Sequence, residues 1–287
     1  MKTLCYFSSY FESDEIPYYV RFYLDELCLQ CEQVIFITNE KKLSASSQLF
    51  LENKKIELLP VKNEGYDFGM WTKALAVYPP DAYDRLILAN DSCILFRSLG
   101  KALKTMEEQK WEYAGLLDSN EISYHIQSYF LVIRQNAFPV IKAYLEQQDF
   151  AHSMQDAIHR FEVGLSAAMI QHQHTIGAVF SRKDAGVIRN ESYAGIAELI
   201  REGFPVIKRK ILYDSFSRKE RISLIRAGIE LVPGDYMNQI KVISKEEQTS
   251  FDVEKLYKEI GETFYPLRWG WDKLYARIYQ SIRKRIK

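Results

Sequence analysis

The sequence predicts an α/β protein built on a doubly wound, mostly parallel sheet. Three observations carry this. Short apolar runs alternate with helical periodicity through the first 110 residues. The runs are near-continuous in apolar residues, as strands buried on both faces are. No Gly/Ser/Pro-rich linker interrupts the chain. The elements follow in order. Thr3–Ser8 is a strand and Ile16–Cys31 a helix. Glu32–Thr38, with Val-Ile-Phe-Ile, is a second strand, and Leu43–Glu52 a helix. Lys55–Val61 (KIELLPV) is a third strand. Gly69–Val77 is a helix stopped by Pro79-Pro80. Asp84–Ala89 is a fourth strand, Ser98–Gln109 a helix, and Glu112–Leu117 a fifth strand. Gln127–Arg134 is a strand, Ala137–Gln147 and Met154–Gln173 are helical, and Ile176–Phe180 is a short strand. Ile222–Ile229 and Asp252–Ile260 read as helices. Sheets of this kind bind ligands beyond the carboxyl ends of their strands. Ser8–Phe11, Thr38–Asn39, Asn63–Asp67 and Asn90–Asp91 should therefore line one crevice.

Bulk composition excludes several classes. The 287 residues are 47% apolar and 26% charged, too apolar for a disordered chain. Thirty-eight basic and 38 acidic residues give zero net charge, which argues against a surface that grips nucleic acid throughout. The zero conceals an asymmetry. Residues 267–287 carry seven basic residues and one acidic, a net +6, and the preceding 266 carry −6. From Trp271 the apolar residues form one helical stripe (271, 274, 275, 278, 279, 282, 286) with basic residues on most other positions. Such a helix suits an anionic membrane surface, or docking on its own domain or another copy. No other basic or aromatic patch accompanies it, so a nucleic-acid partner is not expected. No apolar run of about 18 residues spans a bilayer, and the N-terminus lacks an export signal. Together with free cysteines this points to a cytoplasmic location. Cys28 and Cys31 form a lone C-x-x-C on a helix face and read as core.

No phosphate loop, no G-x-G-x-x-G after the first strand and no G-x-S-x-G is present, which argues against ATP hydrolysis, dinucleotide binding and serine hydrolysis. Three segments carry chemistry. Asn63-Glu-Gly-Tyr-Asp-Phe-Gly-Met-Trp71 follows the third strand and opens a helix. Gly65 can take an unusual backbone dihedral, and Asp67 either caps the helix or faces the crevice. Asn90-Asp91-Ser92 directly follows the fourth strand. It is either a polar turn or the place where a carboxylate holds Mg²⁺ or Mn²⁺ on a diphosphate. Glu162 precedes an apolar helical run, as a dipole-stabilised carboxylate at a helix N-terminus or as a general base.

Taken together and in order, Asn63–Leu75 (NEGYDFGMWTKAL), Leu88–Ser92 (LANDS), His125–Arg134 (HIQSYFLVIR), Glu162–Ser166 (EVGLS) and Phe204–Leu212 (FPVIKRKIL) resemble the rhamnan synthesis F family of bacterial glycosyltransferases. The resemblance covers roughly residues 1–215. It implies a GT-A catalytic domain, a Rossmann-like mixed sheet flanked by helices, over 1–215. A helical extension would follow over 216–266 and the basic helix over 267–287. It implies a nucleotide-sugar donor held by Ser8, Thr38, Asn63, Gly65, Tyr66, Asp67, Asn90 and Asp91. Asp91 matches the second, metal-binding Asp of a D-x-D motif, whose first Asp is replaced by Ala89. Mg²⁺ or Mn²⁺ is the implied cofactor. Glu162 matches the acidic base of inverting enzymes. His125 and Gln127 would contact the acceptor, or merely end a strand. Lys208 and Arg209 would face the departing phosphates, or form a solvated basic turn. The implied reaction is a single displacement onto a lipid-linked saccharide of a bacterial surface polysaccharide, at the inner face of the plasma membrane, with rhamnose suggested by analogy. A non-catalytic glycan-binding or scaffold protein, or a transferase of another activated group, fits the same residues.

Overall fold

A computed structural model describes residues 1–181, 192 and 195–212. The expected extension over 216–266 and basic helix over 267–287, including helices at 222–229 and 252–260, lie outside the described residues.

The strands run β1 (Thr3–Ser9), β2 (Gln33–Asn39), β3 (Glu57–Val61), β4 (Arg85–Asn90), β5 (Cys93–Leu95), β6 (Tyr113–Ser119), β7 (His125–Ile126), β8 (Phe130–Arg134), β9 (Ile176–Phe180) and β10 (Val206–Lys208). β1 pairs in parallel with β2 on one side and β4 on the other, and β2 pairs in parallel with β3. β8 lies antiparallel between β4 and β6, and β9 extends the sheet parallel to β6. The result is a mixed, Rossmann-like sheet. The chain winds outward from β1 to β3, then returns past β1 to β4, so the winding direction reverses between β1 and β4. That reversal opens a crevice at the carboxyl ends of these two strands.

Helices cover both faces. Period-two alternation sends Cys5 and Phe7 of β1 into one core and Leu4 and Tyr6 into the other. The first core is closed by α1 (Tyr18–Gln30), α2 (Ala45–Lys54) and α4 (Gly100–Glu108). The second is closed by α3 (Tyr66–Val77), α5 (Phe138–Gln147), and the run α6 (Met154–Asp156), a π-helical segment Ala157–Val163, and α7 (Gly164–Gln171). Each fully buried large side chain, such as Phe7, Phe36 or Trp71, contributes on the order of 1.5–3 kcal/mol through removal from water. Cys28 and Cys31 pack against the first core. Among the described residues no three metal-ligating side chains cluster, and no helix is long and apolar enough to cross a membrane.

The structure departs from the sequence expectations at four places. The run Gln127–Arg134 is not one strand. Ser128 and Tyr129 turn, separating β7 from β8, because the Ser128 backbone N–H bonds a carboxylate instead of a ladder partner. Helix α3 begins at Tyr66 rather than Gly69. Glu162 lies well inside a helical run that starts at Met154, so the expectation of a helix N-terminus there is corrected. Finally, β5 and β10 form a short antiparallel pair that no periodicity signalled.

The glycines at the start of α3 are sterically required. Gly65 takes φ +76° and packs on Phe150, which a Cβ would crowd. At Gly69 a Cβ would run into the Glu64 carbonyl oxygen. Replacing Gly69 with Ala therefore forces backbone movement and should cost about 1–3 kcal/mol. Urea unfolding of the full chain measures this, and an unchanged midpoint would show that the Glu64 carbonyl yields freely.

Candidate active site

Two clusters lie at this end of the sheet, joined where the Asn90 N–H donates to the carbonyl of Tyr129, next to Ser128, at 3.4 Å. The first sits where β1 and β4 end. Their pairing places Ser8 opposite Asn90, and the Asp91 N–H donates to the Ser8 carbonyl at 3.1 Å. Asp67, in the first turn of α3, reaches this point. Its Oδ1 accepts from the Ser8 hydroxyl at 2.8 Å and its Oδ2 from the Asn90 amide at 2.8 Å. The other face of Asn90 is fixed by Ser92, whose backbone N–H and hydroxyl donate to its Oδ1 at 3.1 and 2.6 Å. Asp91 is buried. Its Oδ2 accepts from the Ser9 hydroxyl at 2.8 Å, the Tyr19 hydroxyl at 3.3 Å and Arg209 Nη1 at 3.4 Å. Arg209 also lies over the Tyr19 ring, 4.7 Å from its centroid.

The cations arrive through β10. Lys208 stands opposite Cys93 in the β5–β10 register, and the Arg209 N–H donates to the Ser92 carbonyl at 2.9 Å. Lys208 Nζ lies 4.2 Å from the Tyr129 ring centroid and forms no ion pair among the described residues. Its charge acts on both clusters, favouring the ionised forms of Asp67 and of Glu162. Burial, and next the charge of Asp91, push the Asp67 carboxyl up to about 7, against the hydrogen bonds from Ser8 and Asn90 and the charge of Lys208.

The second cluster is built on Glu162. Its Oε2 accepts from both the backbone N–H and the hydroxyl of Ser128, each at 2.6 Å. Its Oε1 lies 3.4 Å from Nε2 of His125. Burial alone would raise the Glu162 carboxyl. The bonds from His125 and Ser128 and the charge of Lys208 outweigh it and hold the group below its ordinary value. For His125, burial favours the neutral ring, but Glu162 and the Ser123 carbonyl outweigh this and raise its pKa. Glu162 belongs to the π-helical segment, a distortion common at functional sites. The Tyr144 hydroxyl donates to the Arg160 carbonyl inside that segment, and Gly164 leaves room for it, since a Cβ there would strike the hydroxyl.

The clusters are tied through aromatic packing. Phe68, next to Asp67, stacks on Phe161, next to Glu162, with centroids 5.1 Å apart. Trp71 closes edge-on against Phe68 at 5.1 Å. The aromatic residues of NxGYDFGxW thus fix the distance between two carboxylates 95 positions apart.

Of the residues singled out from sequence, Ser8, Asp67, Asn90, Asp91 and Arg209 are joined by hydrogen bonds and ion pairing, with Lys208 beside them. Thr38 is buried at the end of β2 opposite Ser9 and donates to Asn39 Oδ1 at 3.2 Å. Gly65 shapes the turn rather than presenting a side chain. Asn63 is exposed on the loop before α3 and takes no part in the hydrogen bonds of the cluster. Tyr66, at φ +58°, is 42% exposed. Gln127 is buried and its N–H donates to the Leu117 carbonyl at 2.9 Å. His125 is 3% exposed, and both ring nitrogens face protein atoms, so the expected acceptor contact through its ring is not available. Ser9 lies within the expected crevice stretch Ser8–Phe11. Tyr19 and Ser128 were missed, and neither carries a local signal.

The residues do not fit a divalent cation well. Mg²⁺ sites often use one or two carboxylates with substrate phosphates, so the loss of the first Asp to Ala89 is not decisive by itself. The obstacle is at Asp91. Its Oδ2 already takes three donors, one of them a guanidinium whose charge stands where the cation's would.

Comparison with known proteins adds the family. Solved structures similar in outline include a cytidylyltransferase from Leptospira borgpetersenii serovar Hardjo-bovis, at 10% identity and TM-score 0.45, with 86% of this chain and 96% of that one covered. Another is a putative nucleotide-diphospho-sugar transferase from Desulfovibrio desulfuricans G20, at 11% identity and TM-score 0.40, covering 70% and 96%. A third is a putative glucose-1-phosphate thymidylyltransferase from Bacillus anthracis, at 10% identity and TM-score 0.42, covering 62% and 87%. No curated protein matches the sequence. The family model described as Rhamnan synthesis protein F matches residues 34–267, and the chain belongs to that family.

Proposed function

We propose that this protein is a glycosyltransferase. It moves a sugar from a nucleoside-diphosphate donor to a growing bacterial surface polysaccharide by a single inverting displacement. The family, described as acting in rhamnan synthesis, makes rhamnose the first donor sugar to test. One observation carries the reading. Segments 63–75, 88–92, 125–134, 162–166 and 204–212, far apart in sequence, come together beside the carboxyl end of β4.

The residues divide the chemistry. The diphosphate enters beyond the ends of β1 and β4, where Lys208 and Arg209 supply positive charge to the departing group. Asp91 orients Arg209 through its Oδ2, and Tyr19 supports the guanidinium from its ring face. Asp67 and Asn90 fix the floor on the donor side. Across the crevice Glu162 receives the proton of the acceptor hydroxyl as the oxygen attacks the anomeric carbon. The bond to the diphosphate breaks on the opposite face, and the nucleoside diphosphate leaves with the electron pair. No step in this scheme needs a divalent cation.

Slow hydrolysis of nucleotide-sugars by the full chain tests this directly. Wild type should release nucleoside diphosphate from one donor of a panel including dTDP-rhamnose. Glu162→Gln and Asp91→Ala should each lower the rate by about 10²-fold or more. Equal rates in these variants, or no donor turned over, would favour a non-catalytic glycan-binding role, for which the loss of the first Asp at position 89 is the best support.

The basic segment 267–287 is proposed to hold the enzyme at an anionic membrane, next to a lipid-linked acceptor. The full chain should co-sediment with vesicles containing anionic lipid, and a chain truncated after Pro266 should not. Equal sedimentation of the two would overturn the anchor.

A further inference from the structure

Both nitrogens of the His125 ring face acceptors. Nδ1 lies 2.7 Å from the Ser123 carbonyl oxygen and Nε2 lies 3.4 Å from Oε1 of Glu162. A neutral imidazole carries one N–H, so it satisfies one neighbour and turns a lone pair on the other. Two arrangements remove that conflict. Either the ring is an imidazolium and donates to both, or Oε1 carries the proton and donates to Nε2. In both, the pair seats one proton between Glu162 and His125, in a place where the ring is only 3% exposed; with that seat empty, Nε2 turns its lone pair toward Oε1. The second carboxylate oxygen is fixed separately by the two donors of Ser128.

This geometry bears on what kind of base Glu162 is. A carboxylate held by the two donors of Ser128 is a weak proton acceptor when considered alone. Resting on the reading of Glu162 as the base of glycosyl transfer, we propose that Glu162 and His125 accept the proton as one pair, Glu162 meeting the acceptor hydroxyl and Nε2 of His125 holding the proton afterwards. The balance is simple. The acceptor O–H bond breaks and its oxygen bonds the anomeric carbon. The anomeric carbon–diphosphate bond breaks, and the leaving group takes that electron pair. The proton passes to the Glu162 carboxylate and on to the Nε2 lone pair, leaving carboxylate and imidazolium. It returns to solvent after the products depart. The Ser123 carbonyl holds the ring in register throughout. His125 is thereby a positioning residue and proton holder that does not touch substrate.

The groups facing the pair set its proton affinity. Glu121 favours the imidazolium. Lys208, from β10, favours the carboxylate. The hydroxyls of Tyr113 and Tyr129 lie near Glu162 and stay protonated, since burial raises both. Two groups coupled this closely titrate as a unit. A pair that already holds its proton cannot take another, so activity falls as the pH drops through the pair's titration. That titration lies above the ordinary histidine value, in the direction set by Glu162. This places a base near working pH, which a carboxylate alone does not.

The test combines ¹⁵N NMR of the imidazole rings with the pH profile of nucleotide-sugar hydrolysis, both on the full chain. His125 is assigned by its missing signal in His125→Gln. Its titration in wild type should lie above that of an ordinary histidine and should fall in Glu162→Gln. The acidic limb of wild-type hydrolysis should coincide with it, and in His125→Gln should move down by about 2 pH units, toward the carboxylate range. The titration itself is read on the unsubstituted chain, and His125→Asn supplies the assignment if His125→Gln misfolds. A wild-type His125 that titrates at or below the ordinary value would overturn the pair. An acidic limb unmoved in His125→Gln would overturn its role as proton holder. A raised His125 titration without hydrolysis of any donor would instead count against the transfer reading, leaving the pair as a buried ion pair.

Discussion

The parallel pairing of β1 with β4 is the constraint on which the site depends. The chain winds away from β1 in one direction and comes back on its other side, so the carboxyl ends of these two strands form the reversal point of the sheet. The gap is narrow and polar. Ser8 and Ser9 end one strand, Asn90 and Asp91 end the other, and each hydroxyl serves a different carboxylate. Ser8 and Ser9 project to opposite faces, as successive strand residues do. Asp67 and Asp91 are therefore addressed from two sides of the same strand end.

The rest of the architecture brings charge to that gap. Burial, and next the neighbouring charge of Asp91, raise the Asp67 titration. The β5–β10 pair answers this by delivering Lys208 and Arg209 from 118 residues beyond Asp91. An ion pair of this kind contributes little to stability after desolvation. Its value lies in fixing orientation. A guanidinium held by a carboxylate below and an aromatic ring beside it presents its remaining edge in one direction. The Phe68–Phe161 stack does the same for the two carboxyl-bearing helices, so Asp67 and Glu162 keep a set spacing.

Much of the sheet was legible because β1, β2, β4 and β6 are long apolar runs, and no end of these strands departs from its expected place by more than two residues. The crevice was legible for the same reason, since strand ends follow from strands. What escaped was short or irregular. β5 and β10 are three residues each, too few for any periodicity, and their pairing links positions over 110 apart. The π-helical segment keeps the composition of an α-helix, so Glu162 read as a helix start when it lies within a run. Ser128 leaves the strand because a carboxylate 34 residues later binds its N–H, and such tertiary competition has no local signature. His125 read as an acceptor contact from its place at a strand end. Its partners, Ser123 and Glu162, become apparent only once β7 folds against the π segment.

The central claim is that the gap between β1 and β4 binds a nucleoside diphosphate through side-chain cations. Calorimetric titration of UDP, dTDP and GDP into the full chain in EDTA tests it most directly. The account predicts that one of them binds without added metal and that Arg209→Ala weakens binding by about tenfold or more, the size of a lost charge-assisted hydrogen bond. Binding that appears only with Mn²⁺ or Mg²⁺ and disappears in Asp91→Ala would contradict it, as would binding indifferent to Arg209.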